Sequence, residues 1–291
     1  MRIGLQAIGI GPGARTAVLA ATAKAADDAG FATLWMGEHV VLFDRPASRY
    51  PYAPDGAFPV AGDVEWMDPL VSLAFAAALT SRIRLATGIL LVPQRNPLIL
   101  AKEIASLDRL SGGRVALGVG VGWMAEEFAA LGVPFARRAA RAREYVDVLR
   151  RLWRDDVASV HGEFVSFDAV RSAPKPARRA VPVLFGGESR AALARAAEYG
   201  DGWYGFNLGP DEAGERIAVL RELLAARARK RDGFEIVVAP FTKPATPDDL
   251  STYRGLGVTE LVLVETPPED PARVAGWVAD LATRWVTPPT P

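Results

Sequence analysis

Thr33-Leu34-Trp35-Met36-Gly37-Glu38-His39 is an apolar run that stops on an acid and then on one of the chain's two histidines. Near-continuous apolar character fits a strand covered on both faces, and a titratable group just past its end lies where parallel barrels keep their chemistry. Working outward, similar runs occur at residues 3–8, 83–90, 115–121, 183–185, 202–206, 235–238 and 260–264. Between them the apolar spacing predicts helices over 14–29, 68–80, 97–110, 125–131, 138–153, 189–199, 211–231, 247–255 and 271–284. Strands alternating with helices call for a parallel sheet, and eight such units in one α/β chain close into a (β/α)8 TIM barrel. Gly30, Gly112, Gly113, Gly200 and Gly257 fall where helices return to strands, as expected of glycine at positive φ.

The composition narrows the function classes. A chain of 291 residues with 50% hydrophobic content carries its own core. No cysteine occurs, which removes disulfides, iron–sulfur clusters, thiolate zinc and a cysteine nucleophile, and no metal ligand set is read. Thirty-four basic residues balance thirty-four acidic ones, so neither a nucleic-acid surface nor a membrane surface is expected. The chain starts on a strand-like segment with no signal-like stretch and no apolar run of bilayer length, so the cytoplasm is the expected compartment.

Residues 1–286 read as one domain with insertions after strands 2 and 4. The first, 40–66, follows strand 2 and so belongs on the catalytic face; its aromatics, Tyr50 and Trp66 among them, predict a packed lid rather than a disordered loop. The second, 157–180, predicts a small hairpin carrying His161, to which no chemistry is assigned. Residues 287–291 are expected to form a disordered tail. Gly9-Ile10-Gly11-Pro12-Gly13, with Glu38 ending the second strand, mimics a dinucleotide-binding unit. Its third glycine is misplaced, Pro12 stiffens the loop, and eight units exceed a six-stranded sheet. Gly118, Gly120 and Gly122 alternate along strand 4 and leave one face bare, which predicts a flat ligand against backbone, the alternative being a tight bend of the wall. Phe185-Gly186-Gly187-Glu188-Ser189 ends strand 5 and opens a helix, a placement that suits an anion provided Glu188 points aside.

Taken together, Trp35-Met36-Gly37-Glu38-His39, Pro93-Gln94-Arg95-Asn96-Pro97, residues 107–114, residues 117–123 followed by Glu126-Glu127-Phe128, Gly186-Gly187 and Gly200-Asp201-Gly202-Trp203 resemble the bacterial luciferase-like monooxygenase superfamily. The chain most resembles its F420-dependent oxidoreductase branch, and the match runs from the first strand to about Trp203.

The resemblance implies a (β/α)8 barrel that binds a deazaflavin, F420, at the C-terminal ends of the strands, with reduced FMN as the alternative cofactor. It implies that His39 is the catalytic group that gives or takes the proton accompanying hydride transfer, a role suited to an imidazole. Gly88 matches the position of a non-prolyl cis peptide supporting the ring. Gly120, Gly122, Gly186 and Gly187 match backbone lining the ring and its phosphate-bearing tail, with Ser189 at the following helix start. Arg95 and Asn96 follow strand 3, where Arg95 is placed to meet an anionic tail. Some family dehydrogenases carry a glutamate where this chain has Trp123, so a second protonic group is missing there. Trp123 with Tyr50 and Trp66 points to a small apolar or aromatic substrate. Glu38 is expected to face the wall or orient His39. The function implied is F420-dependent hydride transfer; the alternatives are a reduced-FMN monooxygenase and a non-catalytic ligand-binding barrel. Family members are commonly dimers, so a homodimer is expected.

Overall fold

The computed structural model describes residues 1–228, 233–243 and 245–286. In chain order the strands are β1 (Arg2–Gln6), β2 (Thr33–Met36), β3 (Arg84–Leu91), β4 (Val115–Gly120), β5 (Ala158–His161), β6 (Ser166–Val170), β7 (Val183–Gly186), β8 (Gly202–Phe206), β9 (Glu235–Ala239) and β10 (Glu260–Val264). All but β5 and β6 close into a parallel barrel in the order β1-β10-β9-β8-β7-β4-β3-β2, so the expected (β/α)8 TIM barrel is the fold. β5 and β6 form the antiparallel hairpin expected within 157–180.

The helices are α1 (Thr16–Asp28), α2 (Pro69–Leu79), α3 (Pro97–Ser111), α4 (Ala125–Ala130), α5 (Arg138–Arg154), α6 (Arg190–Tyr199), α7 (Pro210–Ala226), α8 (Leu250–Gly255) and α9 (Pro271–Trp285). Several starts are written locally. Asp68, Asn96 and Asp270 each precede a proline at the first helical position and accept amides of the first turn through their side chains. The helix expected over 211–231 ends at Ala226, and 229–232 lie outside the described residues, as does the tail expected at 287–291. Of the five return glycines, Gly30, Gly112, Gly113 and Gly257 have positive φ. Gly200 is instead extended, and a Cβ there would stand 2.7 Å from the Gly202 carbonyl oxygen and 2.8 Å from that of Ala196, so close packing demands it.

Alternation along the strands makes two cores. Leu34, Leu85, Leu117, Val183 and their like pack outward under the helices, while Trp35, Ala86, Ala116, Leu184, Tyr204, Val237 and Val262 fill the barrel. Trp35 and Tyr204 are the large members inside, their ring centroids 5.0 Å apart, and glycine makes space for them: a Cβ on Gly4 would stand 2.7 Å from Trp35 Nε1 and one on Gly88 3.1 Å from the Tyr204 hydroxyl.

Candidate active site

The C-terminal ends of the strands and residues 40–66 enclose a cavity of about 390 Å³, within the ~300–1,000 Å³ usual for small-molecule sites. Its floor is built at a break in β3. The Gly88–Ile89 peptide is cis, and the β3–β4 register shifts between Thr87 and Leu90. Ile89 is thereby laid across β4: a Cβ on Gly120 would stand 1.8 Å from its Cδ1, and one on Gly186 3.1 Å from its Cγ2. A Cβ on Gly118 would stand 2.0 Å from the Thr87 carbonyl oxygen. The expectation that the bare face of β4 lies open to a ligand is therefore corrected. The glycines admit the neighbouring strand and Ile89, and Ile89 presents the apolar surface to the cavity.

His39 follows β2 and is 9% exposed. Its Nδ1 lies 3.3 Å from Glu127 Oε2, on α4, while Glu127 Oε1 accepts the Val40 amide at 2.6 Å and the Val41 amide at 3.4 Å. With Nδ1 turned to a carboxylate, Nε2 is the nitrogen left for a ligand. Burial works to raise the Glu127 pKa, but the bond to His39, its charge and the Val40 amide outweigh it and hold the carboxyl below its usual range. Glu127, not Glu38, thus orients the histidine. Glu38 accepts the Leu91 amide at 2.5 Å and pairs with Arg95; burial pushes its pKa up and Arg95 pulls against it.

The insertion packs as a lid. Glu126 Oε1 accepts the amides of Ala47 and Ser48 at 2.6 and 3.0 Å, and Asn207 Nδ2 donates to the Tyr52 carbonyl oxygen at 3.1 Å. The Trp66 indole donates to the Gly37 carbonyl oxygen at 3.1 Å. His39 sits among the rings of Trp66, Phe58 and Trp123 at centroid distances of 5.0, 5.1 and 6.0 Å, and Tyr50 closes on Trp123 at 5.2 Å.

Of the residues singled out in the sequence, His39, Gly88, Gly120, Gly122, Gly186, Gly187, Ser189, Trp123, Tyr50 and Trp66 line this one cavity. Arg95 and Asn96 do not. The Arg95 guanidinium is spent on Glu38 and Asp68, with Glu103 at 3.8 Å, which leaves nothing for an anionic tail. Asn96 accepts the Leu98 and Ile99 amides and caps α3. The cavity's cations come from residues that the sequence reading passed over. Arg138, at the start of α5, and Arg195, on α6, both line it, as do Ser189 and Ala192 at the start of α6. Arg138 stacks on Phe135 at 3.7 Å and donates to the Gly122 carbonyl oxygen at 3.0 Å. Neither forms an ion pair among the described residues; burial lowers both pKa values, and the Arg138 charge lowers that of Arg195 further. Two enclosed cations that repel each other beside a helix N-terminus make an electrostatic seat for an anion.

Residues 5–252 match the family described as luciferase-like monooxygenase. A protein of Mycobacterium tuberculosis, described as uncharacterised, is 39% identical over 269 residues, covering 91% of this chain and 93% of that one. The FMNH2-dependent dimethylsulfone monooxygenase of Pseudomonas putida is 38% identical over 138 residues, 46% of this chain and 37% of that one. The structure of the coenzyme F420-dependent tetrahydromethanopterin reductase of Methanopyrus kandleri has the same fold, with a TM-score of 0.75, 16% identity and 98% of each chain covered. The barrel, its cavity and the sequence match agree: this chain belongs to the luciferase-like monooxygenase family.

Proposed function

We propose that this protein is an F420-dependent oxidoreductase that transfers a hydride between the deazaflavin and a small apolar or aromatic substrate, with His39 as proton donor or acceptor. The observation that carries this reading is the pairing, in one cavity, of the His39–Glu127 couple with the acid-free arginines Arg138 and Arg195. Those residues fit the cofactor: Ile89 offers an apolar platform for a planar ring, and the two arginines suit a tail with several negative charges. When bound, the deazaflavin supplies a two-electron carrier that gives or accepts hydride. Glu127 holds the imidazole so that Nε2 can release or take up the accompanying proton. Trp123, Tyr50, Phe58 and Trp66 pack an apolar wall around that nitrogen, and the lid excludes water from it.

A second reading, a reduced-FMN monooxygenase, is favoured by the stretch shared with the dimethylsulfone monooxygenase. Parallel titrations with F420 and FMN, followed by tryptophan quenching in the wild type and in His39→Ala, decide between them. The expected result is tighter binding of F420 that survives the substitution. A preference for FMN overturns the deazaflavin assignment, and binding of neither returns the protein to a non-catalytic barrel.

A further inference from the structure

Glu188 follows β7 and lines the cavity. Around the barrel β7 stands three strands from β2, so Glu188 and His39 reach the cavity from different walls. Glu188 Oε1 accepts the Phe206 amide at 2.8 Å, and its side chain also bonds the hydroxyl of Tyr52 on the lid. Four other enclosed glutamates have a cation or histidine in contact: Glu38 has Arg95, Glu235 has Arg84, Glu260 has Arg2 and Glu127 has His39. Glu188 forms no ion pair among the described residues, and Arg216 of α7 acts on it only at longer range. A carboxyl enclosed without a counter-ion is driven toward its neutral form. Burial pushes Glu188 up to about 7, against the opposing pulls of the Phe206 amide, the Tyr52 hydroxyl and Arg216.

The groups that face Glu188 are Tyr50 and Tyr52 of the lid, Tyr204 of β8 and Arg216. Burial, and then negative charge nearby, keeps the three tyrosines protonated well above neutrality. Glu188 is therefore the member of this cluster whose proton comes and goes near neutral pH. Elsewhere in the wall Tyr204 donates its hydroxyl to Gln6 Oε1 at 3.2 Å, so that tyrosine is already engaged.

We propose that Glu188 is a second proton-carrying group of the cavity, donating a hydrogen bond to a carbonyl oxygen or similar acceptor on the bound substrate while His39 acts from the β2 wall. This deepens the oxidoreductase reading and rests on it: the substrate class becomes an apolar or aromatic compound bearing one acceptor atom. Once ionised, Glu188 accepts from Tyr52 and has no proton to offer such a ligand.

The test is infrared difference spectroscopy of the carboxyl stretch on protein without cofactor, from about pH 5 to about pH 9, with benzaldehyde as probe and toluene as its acceptor-free counterpart. The expected result is a protonated-carboxyl band that titrates near neutrality and is missing from Glu188→Gln. Benzaldehyde should raise that titration by at least about one pH unit, the shift produced by tenfold tighter binding to the protonated form, and toluene should not. Should Glu188→Gln fail to fold, Tyr52→Phe identifies the band, because loss of the hydroxyl must move its titration upward. Absence of a neutral-range band, or equal responses to benzaldehyde and toluene, overturns the proposal. No cofactor is added, so failure to bind F420 or FMN refutes the oxidoreductase reading without changing this result.

Discussion

The fold uses arginine in two opposite ways. At the N-terminal end, Arg114 precedes β4 and makes five hydrogen bonds: to the carbonyl oxygens of Ser111, Ile83, Ala77 and Thr80, and to the Thr80 hydroxyl. It ties off the C-terminal ends of α2 and α3, where carbonyls lack helical partners. Nearby, Arg84 holds both oxygens of Glu235 at 2.7 and 2.8 Å. At the C-terminal end, Arg138 spends one nitrogen on the Gly122 carbonyl oxygen, and no hydrogen bond or ion pair within the described residues engages Arg195. Both kinds of arginine are partly enclosed, so burial does not separate them. What separates the two kinds is whether the fold has already supplied their acceptors.

Exchanging the two kinds for alanine is the sharpest way to break that contrast. Arg114→Ala leaves several enclosed carbonyls without donors and should cost about 3 kcal/mol of stability in urea titrations, with the F420 affinity of the folded protein unchanged. A normal unfolding midpoint for Arg114→Ala would sink the structural assignment. The pair Arg138→Ala with Arg195→Ala should do the reverse. F420 affinity should fall by roughly a hundredfold, the range of two charge-assisted bonds lost, while the unfolding midpoint holds or rises because the mutual repulsion is gone. Unaltered affinity in that double variant would place the anionic tail elsewhere.

The sequence disclosed the barrel because a parallel strand covered on both faces must be apolar throughout, and eight such runs stand out between helices. It disclosed His39 for the same reason, as a polar residue just past a buried strand. Its errors share one physical source: a charged or polar side chain carries no mark of its partner. Asn96 was readable as a cap, since asparagine before proline is a helix-start signal, but Arg95 beside it could not be distinguished from a tail-binding arginine until Glu38 and Asp68 were seen on its guanidinium. Arg138 and Arg195 were hidden among other arginines of α5 and α6, and only the third dimension showed which two face the cavity. Glu127 is 88 residues from His39, too distant in sequence for spacing to join them. The glycines of β4 were legible as close approach, but the thing approaching proved to be Ile89.

A similar contrast separates two kinds of acid, those whose partners outweigh burial and Glu188, whose partners do not, with opposite signs of pH dependence. At the N-terminal end, burial tends to raise Asp27 and Glu235, yet the amides of Ser81, Ile83 and Arg82 in one case and Arg84 with Arg2 in the other prevail and depress both. Acids of that kind add stability above their unfolded pKa, which is lost as pH falls through the folded value. Glu188 is raised from an ordinary 4.5 to about 7 by burial. Between those values the folded protein binds more protons than the unfolded chain, so stability falls as pH rises through this window and stays low above it. Discounted for residual solvent access, the loss should be about 1–2 kcal/mol. Glu188→Gln keeps the acceptor for the Phe206 amide and cannot ionise, so its stability relative to the wild type should climb by that amount between about pH 5 and pH 8 in parallel urea titrations. A stability difference that stays flat across the range would mean that Glu188 ionises as freely as an acid in water, and the contrast between the two kinds of acid would then be lost.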